Sequence, residues 1–404
     1  MFVGMNFIVP DRIETGPARI RAAARTVARL AAARADALDR TGEFPAQDVV
    51  HCHEAGLLAA PLPVALGGAA LDARAMAPVL RDVLAEVGRG SLALGRLYEG
   101  HVNALSLILR YASEPVLRRL AADVRAGHLF GVWNTQPQAG GLVLDSDGTG
   151  LLAGVKSFAS GAGSVTRPLV TARRPDGRQQ MLVVTLEPGT RADLSSWCAH
   201  GMRASASGVL DFTGLPVDAQ AAVGEADDYF REPHFSAGAW RFAAVQLGGI
   251  EAVFDSLREH LVATGRGGDP HQAARLGEAA IAVETARLFV ERAAALATDP
   301  DAEPARVIAY VNLTRLAVER AGLDVLERAQ RSVGLAGFLR THPLERLMRD
   351  LATYLRQPGP DRALTHAAAH VLAESRPADT LWRDPRDENT VDRTPVNRLP
   401  GCAA

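Results

Sequence analysis

The feature that most constrains this chain is a double change in its hydrophobic period. From residue 18 to about residue 126, apolar residues recur at helical spacing, as in the Ala/Arg/Leu-rich run 18–38 and in the stretches 49–58, 73–87, 91–111 and 115–126. From Gly127 the pattern becomes that of strands broken by turns. HLFGVWNT reads as a strand, Asp147-Gly148 and Gly154 as turn signals, and GVLDFTGLPVD as another strand. PLVTARRPDGRQQMLVVTLEP reads as a hairpin around Pro175-Asp176-Gly177. After Pro233 the helical period returns over 237–264, 270–298, 304–334, 344–355 and 360–374. Helices, then strands, then helices predict an α+β protein with segregated layers.

The punctuation sets the expected units: an N-terminal helical domain over 1–126, a central β domain over 127–225, a C-terminal helical bundle over 226–375, and an extended Pro/Asp/Arg-rich tail over 376–404. Late helices such as AVETARLFVERAAALA are apolar beyond what one monomer core takes up. They predict a multi-helix bundle with subunit contacts.

Charge and cysteine content exclude other classes. With Lys plus Arg at 44 and Asp plus Glu at 46, the net charge of -2 offers no field for a nucleic-acid backbone. No apolar run reaches the roughly 18 residues of a membrane helix, and MFVGMNFIVPDR is too soon charged for a secretory signal. Cys52, Cys198 and Cys402 are too few and too scattered for a disulfide framework or a zinc site, so a reducing, cytoplasmic setting is expected. His51-Cys52-His53 looks ligand-like, but neighbours on a helix point apart, and no metal is expected there.

Four stretches, in order, carry a family resemblance across most of residues 41–375. FPAQDVVHCHEAGLLAAPLPVALGG resembles the opening F-P…G-L…P…G-G segment of the acyl-CoA dehydrogenases. FGVWNTQP is similar to their flavin-facing strand ending in Thr-Glu-Pro. GVKSFASGAGSVTRPLVTAR and GMRASASGVLDFTGLPVDA resemble their G-x-K-x-W-I-T and G-M-R-x-S strands. VGLAGFLRTHPLERLMRDL is similar to their G-G-x-G-[FY]…P-x-E-[RK]-x-x-R-D segment.

The resemblance implies the fold of that family, with a central β-barrel domain and a C-terminal four-helix-bundle domain, a homodimer or homotetramer, and FAD as cofactor. A flavin needs an apolar wall for its ring and donors at its polar edge. By resemblance Thr135 bonds the ring edge, Val132 and Asn134 flank it, Phe158 stands where the family has Trp, and Ser160 replaces the Thr two residues on. Arg266 and Gln272 match an Arg and a Gln that reach a neighbouring subunit's FAD, and Gly334 and Gly337 match the bend beside its ADP part. The loop QPQAGG departs from Glu-Pro-Gly-Ala-Gly-Ser-Asp and loses a Ser that meets the flavin phosphate. Glu345, Arg349 and Asp350 are expected as an i,i+4 structural pairing at the surface.

The largest departure concerns the base. Removing a proton next to a thioester requires a positioned carboxylate. In most of the family this is the Glu of Tyr-Glu-Gly-Thr, but here Pro358 falls at that position and Pro360 at that of the Thr. The alternative base position, just before Arg241, holds Trp240. Asp361 is the nearest acid, with the N-cap of the last helix as its competing role. Glu99 aligns with a pocket-lining Glu near the acyl tail, so Glu99, Trp240 and Arg241 are the substrate-side candidates. His366 on the last helix is a further titratable group, expected as a solvated or core His.

The resemblance thus implies FAD-dependent α,β-dehydrogenation of an acyl-CoA or acyl-carrier thioester, with an electron-transferring flavoprotein as acceptor. The missing base admits two alternatives: a flavin-dependent monooxygenase of the same fold, which needs no carboxylate there, or a catalytically inert flavin-binding relative. One oddity of composition falls on the lysine of the G-x-K-x-W-I-T match, where the family commonly has Lys. Lys156 is the only lysine of the chain, and its place in GVKSFAS predicts a strand-end charge beside the cofactor region.

Overall fold

The computed structural model describes residues 16–137, 141–146 and 150–383. The N-terminal leader, Gln138 to Gly140 of the QPQAGG loop, the Asp147-Gly148 turn, Cys402 and the tail from residue 384 lie outside these. The first layer holds α1 (Pro17–Thr41), α2 (Ala46–Glu54), α3 (Ala77–Gly90), α4 (Leu92–Tyr111) and α5 (Glu114–Arg125). Local chemistry sets their ends. Proline opens α1, and Gly42 closes it in the left-handed conformation, its N–H bonded to the Leu38 carbonyl. Ser91 caps α4 by accepting the Leu94 N–H at 3.3 Å.

Ten strands follow: β1 (Phe130–Trp133), β2 (Val143–Leu144), β3 (Gly150–Ala153), β4 (Val155–Ala159), β5 (Arg167–Arg173), β6 (Gln179–Val183), β7 (Ala192–Asp193), β8 (Gly208–Asp211), β9 (Leu215–Val217) and β10 (Ala222–Val223). They form two sheets rather than one closed barrel. Seven strands run β10-β6-β5-β2-β3-β9 with β1 parallel to β5, and three run β4-β8-β7. Gly154, at φ +108, turns the chain out of one sheet and into the other between β3 and β4. GVLDFTGLPVD splits in the same way, into β8 and β9 on different sheets, at the positive-φ Gly214. The hairpin read from Pro175-Asp176-Gly177 joins β5 to β6.

The last layer holds α6 (His234–Ala237), α7 (Ala239–Ala263), α8 (Pro270–Ala297), α9 (Pro304–Val333), α10 (Pro343–Tyr354) and α11 (Pro360–Ala373). Asp269 and Glu303 cap α8 and α9 through two backbone N–H groups each. Where α7 crosses α3, Gly88 and Gly248 let the backbones touch; a Cβ on Gly248 would overlap the Ala85 carbonyl. Residues 376–383 fold back instead of extending. Trp382 packs edge-on against Tyr310 with ring centroids 5.3 Å apart, and its carbonyl accepts from Arg292 at 2.8 Å. Among the described residues no helix is long and apolar enough to cross a membrane.

Candidate functional site

The cofactor-side candidates Val132, Asn134, Thr135, Phe158 and Ser160 come together where β1 ends beside β4. Side chains alternate along β1, so Trp133 turns inward while Val132 and Asn134 stay half-buried. The Trp133 indole N–H donates to the Ser160 carbonyl at 3.0 Å, and the Ser157 N–H donates to the Thr135 carbonyl at 3.0 Å. These bonds bind the two strand ends to each other. The Ser160 hydroxyl lies 3.4 Å from that of Ser207, which shares a 2.9 Å bond with Ser205.

Phe158 is the most unusual member. It sits in the β4–β8 register irregularity at φ +52, and it is 68% exposed. A non-glycine residue in this conformation carries roughly 1 kcal/mol or more of strain. Burial within the chain does not offset it, so the ring is presented as a bare aromatic face.

Lys156 lies beneath this surface and not at a strand end: it is 0% exposed. Its ammonium donates to the Asn134 carbonyl and to the Thr171 hydroxyl, both at 3.1 Å, and Thr171 donates onward to Asn134 Oδ1 at 2.5 Å. Burial pushes the lysine pKa down to about 8.

The substrate-side candidates lie on α4 and α7 and form one polar network. Glu99, only 1% exposed, is paired with Arg96 and accepts from the Asn103 amide. Arg241 donates to Asn103 Oδ1 at 3.2 Å, to Ser106 at 2.9 Å and to Asp72 at 3.2 Å. The Tyr354 phenol lies beside Arg96 and Glu99, and burial pushes its pKa up. Tyr229, on the same side, is pushed up to about 12 by burial. Gly100 brings α4 close to β1: a Cβ there would lie 3.9 Å from Gly131 Cα. Arg96 Nη1 lies 3.9 Å from the same point, so the Arg96 end of the network stands beside the strand that carries Val132. Trp240 does not line this space; it is buried in the hydrophobic core, with the Arg241 guanidinium 5.5 Å from its ring centre.

The base candidate stands apart. Pro358 is exposed, and its carbonyl accepts from Arg315 at 2.7 Å. Asp361 is exposed in the first turn of α11 and does not cap it. Gly359, at φ +64, is the N-cap residue, because Pro360 fixes the first helical position and leaves Asp361 two residues too late. His366 is exposed, with Nδ1 3.4 Å from the Asn312 amide.

Arg266, Gln272, Gly334 and Gly337 form a second group, at the α8 start and the α9 end. Arg266 is exposed and donates to the Ser332 carbonyl at 3.1 Å. Gln272 is buried, and its Oε1 has no hydrogen-bond partner in the chain. Gly334 has φ +71 with open space where a Cβ would stand, and Gly337 packs against Val333 and Leu344. The orphaned Gln272 oxygen marks this group as built for something beyond the chain's own contacts.

One expectation changes in character. Arg349 does bond Glu345, at 2.7 Å, but it also clamps Asp39 of α1 at 2.6 Å. This is an inward tie and not a surface pair. In the His51-Cys52-His53 run, His51 meets Arg34, Cys52 is buried with its thiol pushed up by burial, and His53 faces Gly127. The residues not foreseen are Arg96, Asn103, Ser106, Asp72 and Thr171. The first three stand at helical spacing around Glu99, a signal present in the sequence; Asp72 and Thr171 are brought in only by the fold.

Comparison with known proteins places this geometry. The family model "Acyl-CoA dehydrogenase, N-terminal domain" matches residues 18–128, and "Acyl-CoA dehydrogenase, C-terminal domain" matches residues 229–372. The chain is 28% identical over 355 residues to L-evernosamine nitrososynthase of Micromonospora sp., covering 81% of this chain and 83% of that one. It is 26% identical over 368 residues to the putative acyl-CoA dehydrogenase YdbM of Bacillus subtilis, covering 83% and 92%. Among solved structures, FMN-bound TdsC of Paenibacillus sp. A11-2, a dibenzothiophene monooxygenase, aligns with a TM-score of 0.78 at 20% identity, covering 90% and 100%. With its helical, sheet and helical layers in this order, the chain belongs to the acyl-CoA dehydrogenase family.

Proposed function

We propose that this protein is a flavin-dependent monooxygenase acting on a polar substrate, rather than a dehydrogenase of acyl thioesters. The observation that carries the reading is the Asp72–Ser106–Arg241–Asn103–Glu99–Arg96 network between α4 and α7. An apolar acyl chain laid against this network would offer no hydrogen bond to the part-exposed Arg96, Arg241 and Asp72 groups. A polar substrate can add to the same network. Pro358 and Trp240 at the two base positions support the same conclusion, since neither accepts a proton. The likeness to a nitrososynthase and to a dibenzothiophene monooxygenase agrees with it.

The β1–β4 surface fits a flavin ring: Phe158 offers a bare aromatic face, and Asn134, Thr135 and Ser160 offer polar groups at its edge. A reduced flavin held there supplies two electrons to dioxygen, one oxygen atom passing to the substrate and the other leaving as water. This chain's own residues bind and orient. Arg96, Glu99 and Arg241 hold the polar substrate against the Val132 face, and α4 closes over β1 to exclude water. FAD is the cofactor expected, its adenylate end served by Arg266, Gln272 and the Gly334–Gly337 bend of a neighbouring copy in a homodimer or homotetramer; TdsC, by contrast, was solved with FMN. The mass of flavin released on denaturation tells the two apart.

The deciding experiment uses the flavin-loaded protein. Anaerobic mixing with a panel of acyl-CoAs is expected to leave the flavin absorbance intact. Oxygen uptake with NADH and a flavin reductase is expected to rise with an amine or thioether substrate. Bleaching by any acyl-CoA would return the protein to α,β-dehydrogenation, with an electron-transferring flavoprotein as the acceptor to test next.

A further inference from the structure

We infer that Lys156 is a positioning residue for the cofactor site: through Thr171 it fixes which way the Asn134 side-chain amide faces. The inference rests on the flavin reading above and concerns how that site is held.

The argument begins with donors and acceptors. An amine nitrogen bonded to two oxygens acts as a donor, to the Asn134 carbonyl and to Thr171 Oγ1. Thr171 Oγ1, having accepted from Lys156, has one proton left to give. It gives it to Asn134 Oδ1 at 2.5 Å. The amide nitrogen of Asn134, with its two donors, is thereby turned away from Thr171. The same lysine also holds the Asn134 backbone carbonyl, so both ends of the residue are fixed from below. Asn134 stands between Val132 and Thr135, at the strand end that would meet a flavin edge.

The burial needs a reason. Lys156 is 0% exposed, and the partners it meets are neutral oxygens; burial alone drives its pKa change, with no carboxylate offsetting it. A lysine in such a place is unfavourable for folding. Methionine would fill the same volume without that penalty. The chain writes every other basic position as Arg, yet it keeps a lysine here, on β4, two residues before the exposed Phe158. The relay explains the choice over an apolar chain, which cannot donate to either oxygen.

Four proteins test it: the wild type, Lys156→Met, Thr171→Val and Thr171→Ser. Each is titrated with flavin, its reduction potential is measured by spectroelectrochemistry, and the melting temperature of its flavin-free form is recorded. Lys156→Met and Thr171→Val are expected to weaken flavin binding about tenfold or more, the scale of one lost hydrogen bond, and to shift the potential. Thr171→Ser keeps the hydroxyl and is expected to match the wild type in both. The flavin-free melting temperature of Lys156→Met is expected to hold or rise, the opposite of what a merely structural lysine would give. Wild-type affinity and potential in both Lys156→Met and Thr171→Val would overturn the inference. So would a loss of binding that follows a loss of flavin-free stability. If the wild type binds no flavin, the flavin reading falls and takes this inference with it. If the wild type binds and the variants bind equally well, this inference falls alone.

Discussion

Asp350 and Met202 are joined across 148 residues by one hydrogen bond: Asp350 Oδ1 accepts the Met202 backbone N–H at 2.6 Å. Met202 needs that acceptor, because its left-handed φ of +58 removes its N–H from any strand ladder. The second Asp350 oxygen takes Arg346 at 3.2 Å. One buried carboxylate thus ties the loop before β8 to α10. Asp350→Ala is expected to lower unfolding free energy by about 1–3 kcal/mol, because it leaves the Met202 N–H buried without an acceptor, while Arg346 keeps its bond to Asp36. Asp350→Asn keeps an acceptor and should lose less. Denaturant melts of the two variants, compared at equal slope, check the order.

The α3–α7 crossing makes a second, purely steric prediction. Gly248 lies against the Ala85 carbonyl and Gly88 against that of Val245, so neither helix has a flexible side chain that could move aside. Gly248→Ala would gain roughly 1 kcal/mol from helix propensity in an open helix. Here the helices must separate, and the net expectation is a loss of about 1–3 kcal/mol. Gly277→Ala, on α8 with open space at its Cβ, is the control and should be neutral or stabilising. Thermal melts of the pair separate crowding from propensity.

His101 provides the acid limit of stability. It is fully buried; its Nε2 lies 2.9 Å from the Leu58 carbonyl and its Nδ1 accepts the Phe130 N–H at 3.1 Å. That pairing requires the neutral ring, and burial lowers its pKa from 6.5 to about 4. Between those values the unfolded chain binds the proton that the folded one refuses. Stability from this group is therefore complete above pH 6.5 and falls as the pH drops toward 4, by up to about 3 kcal/mol. Urea melts between pH 7 and pH 4 should show the slope, and His101→Gln should flatten it.

Much of this was legible in the sequence, because it rests on local chemistry. Pro270 and Pro304 mark the starts of α8 and α9 since proline suits a first helical turn, and both helices begin there. The cluster of Val132, Asn134, Thr135, Phe158 and Ser160 was legible because two motifs face each other across neighbouring strands. What escaped depends on distance or on one dihedral angle. GVLDFTGLPVD reads as a single strand, since nothing local says that Gly214 will send its halves to different sheets. Asp361 reads as a cap, but Gly359 takes φ +64 and is the cap residue two positions earlier. Lys156 reads as a strand-end charge because alternation assigns a face, not a depth. The Arg241–Asp72 pair spans 169 residues, and no spacing rule reaches that far.

Phe158 gives the last prediction, in which folding and binding move in opposite directions. Its side chain is 68% exposed, so removing it gives up little burial, while its φ of +52 is strained for any residue with a Cβ. Glycine adopts that angle freely but makes the unfolded chain more flexible. The two effects nearly balance, so Phe158→Gly is expected to leave flavin-free stability unchanged or raised by up to about 1 kcal/mol. The same change removes the aromatic wall that the proposed ring site presents, and flavin retention should fall about tenfold, the scale of one aromatic contact. Phe158→Trp, which restores a flat ring, should recover retention without changing stability. Gel filtration of flavin-loaded protein, followed by absorbance of the protein-bound fraction, reads the binding side, and calorimetry of the flavin-free forms reads the other. A Phe158→Gly protein that kept its flavin in full would remove Phe158 from the site and leave its strained angle without a function.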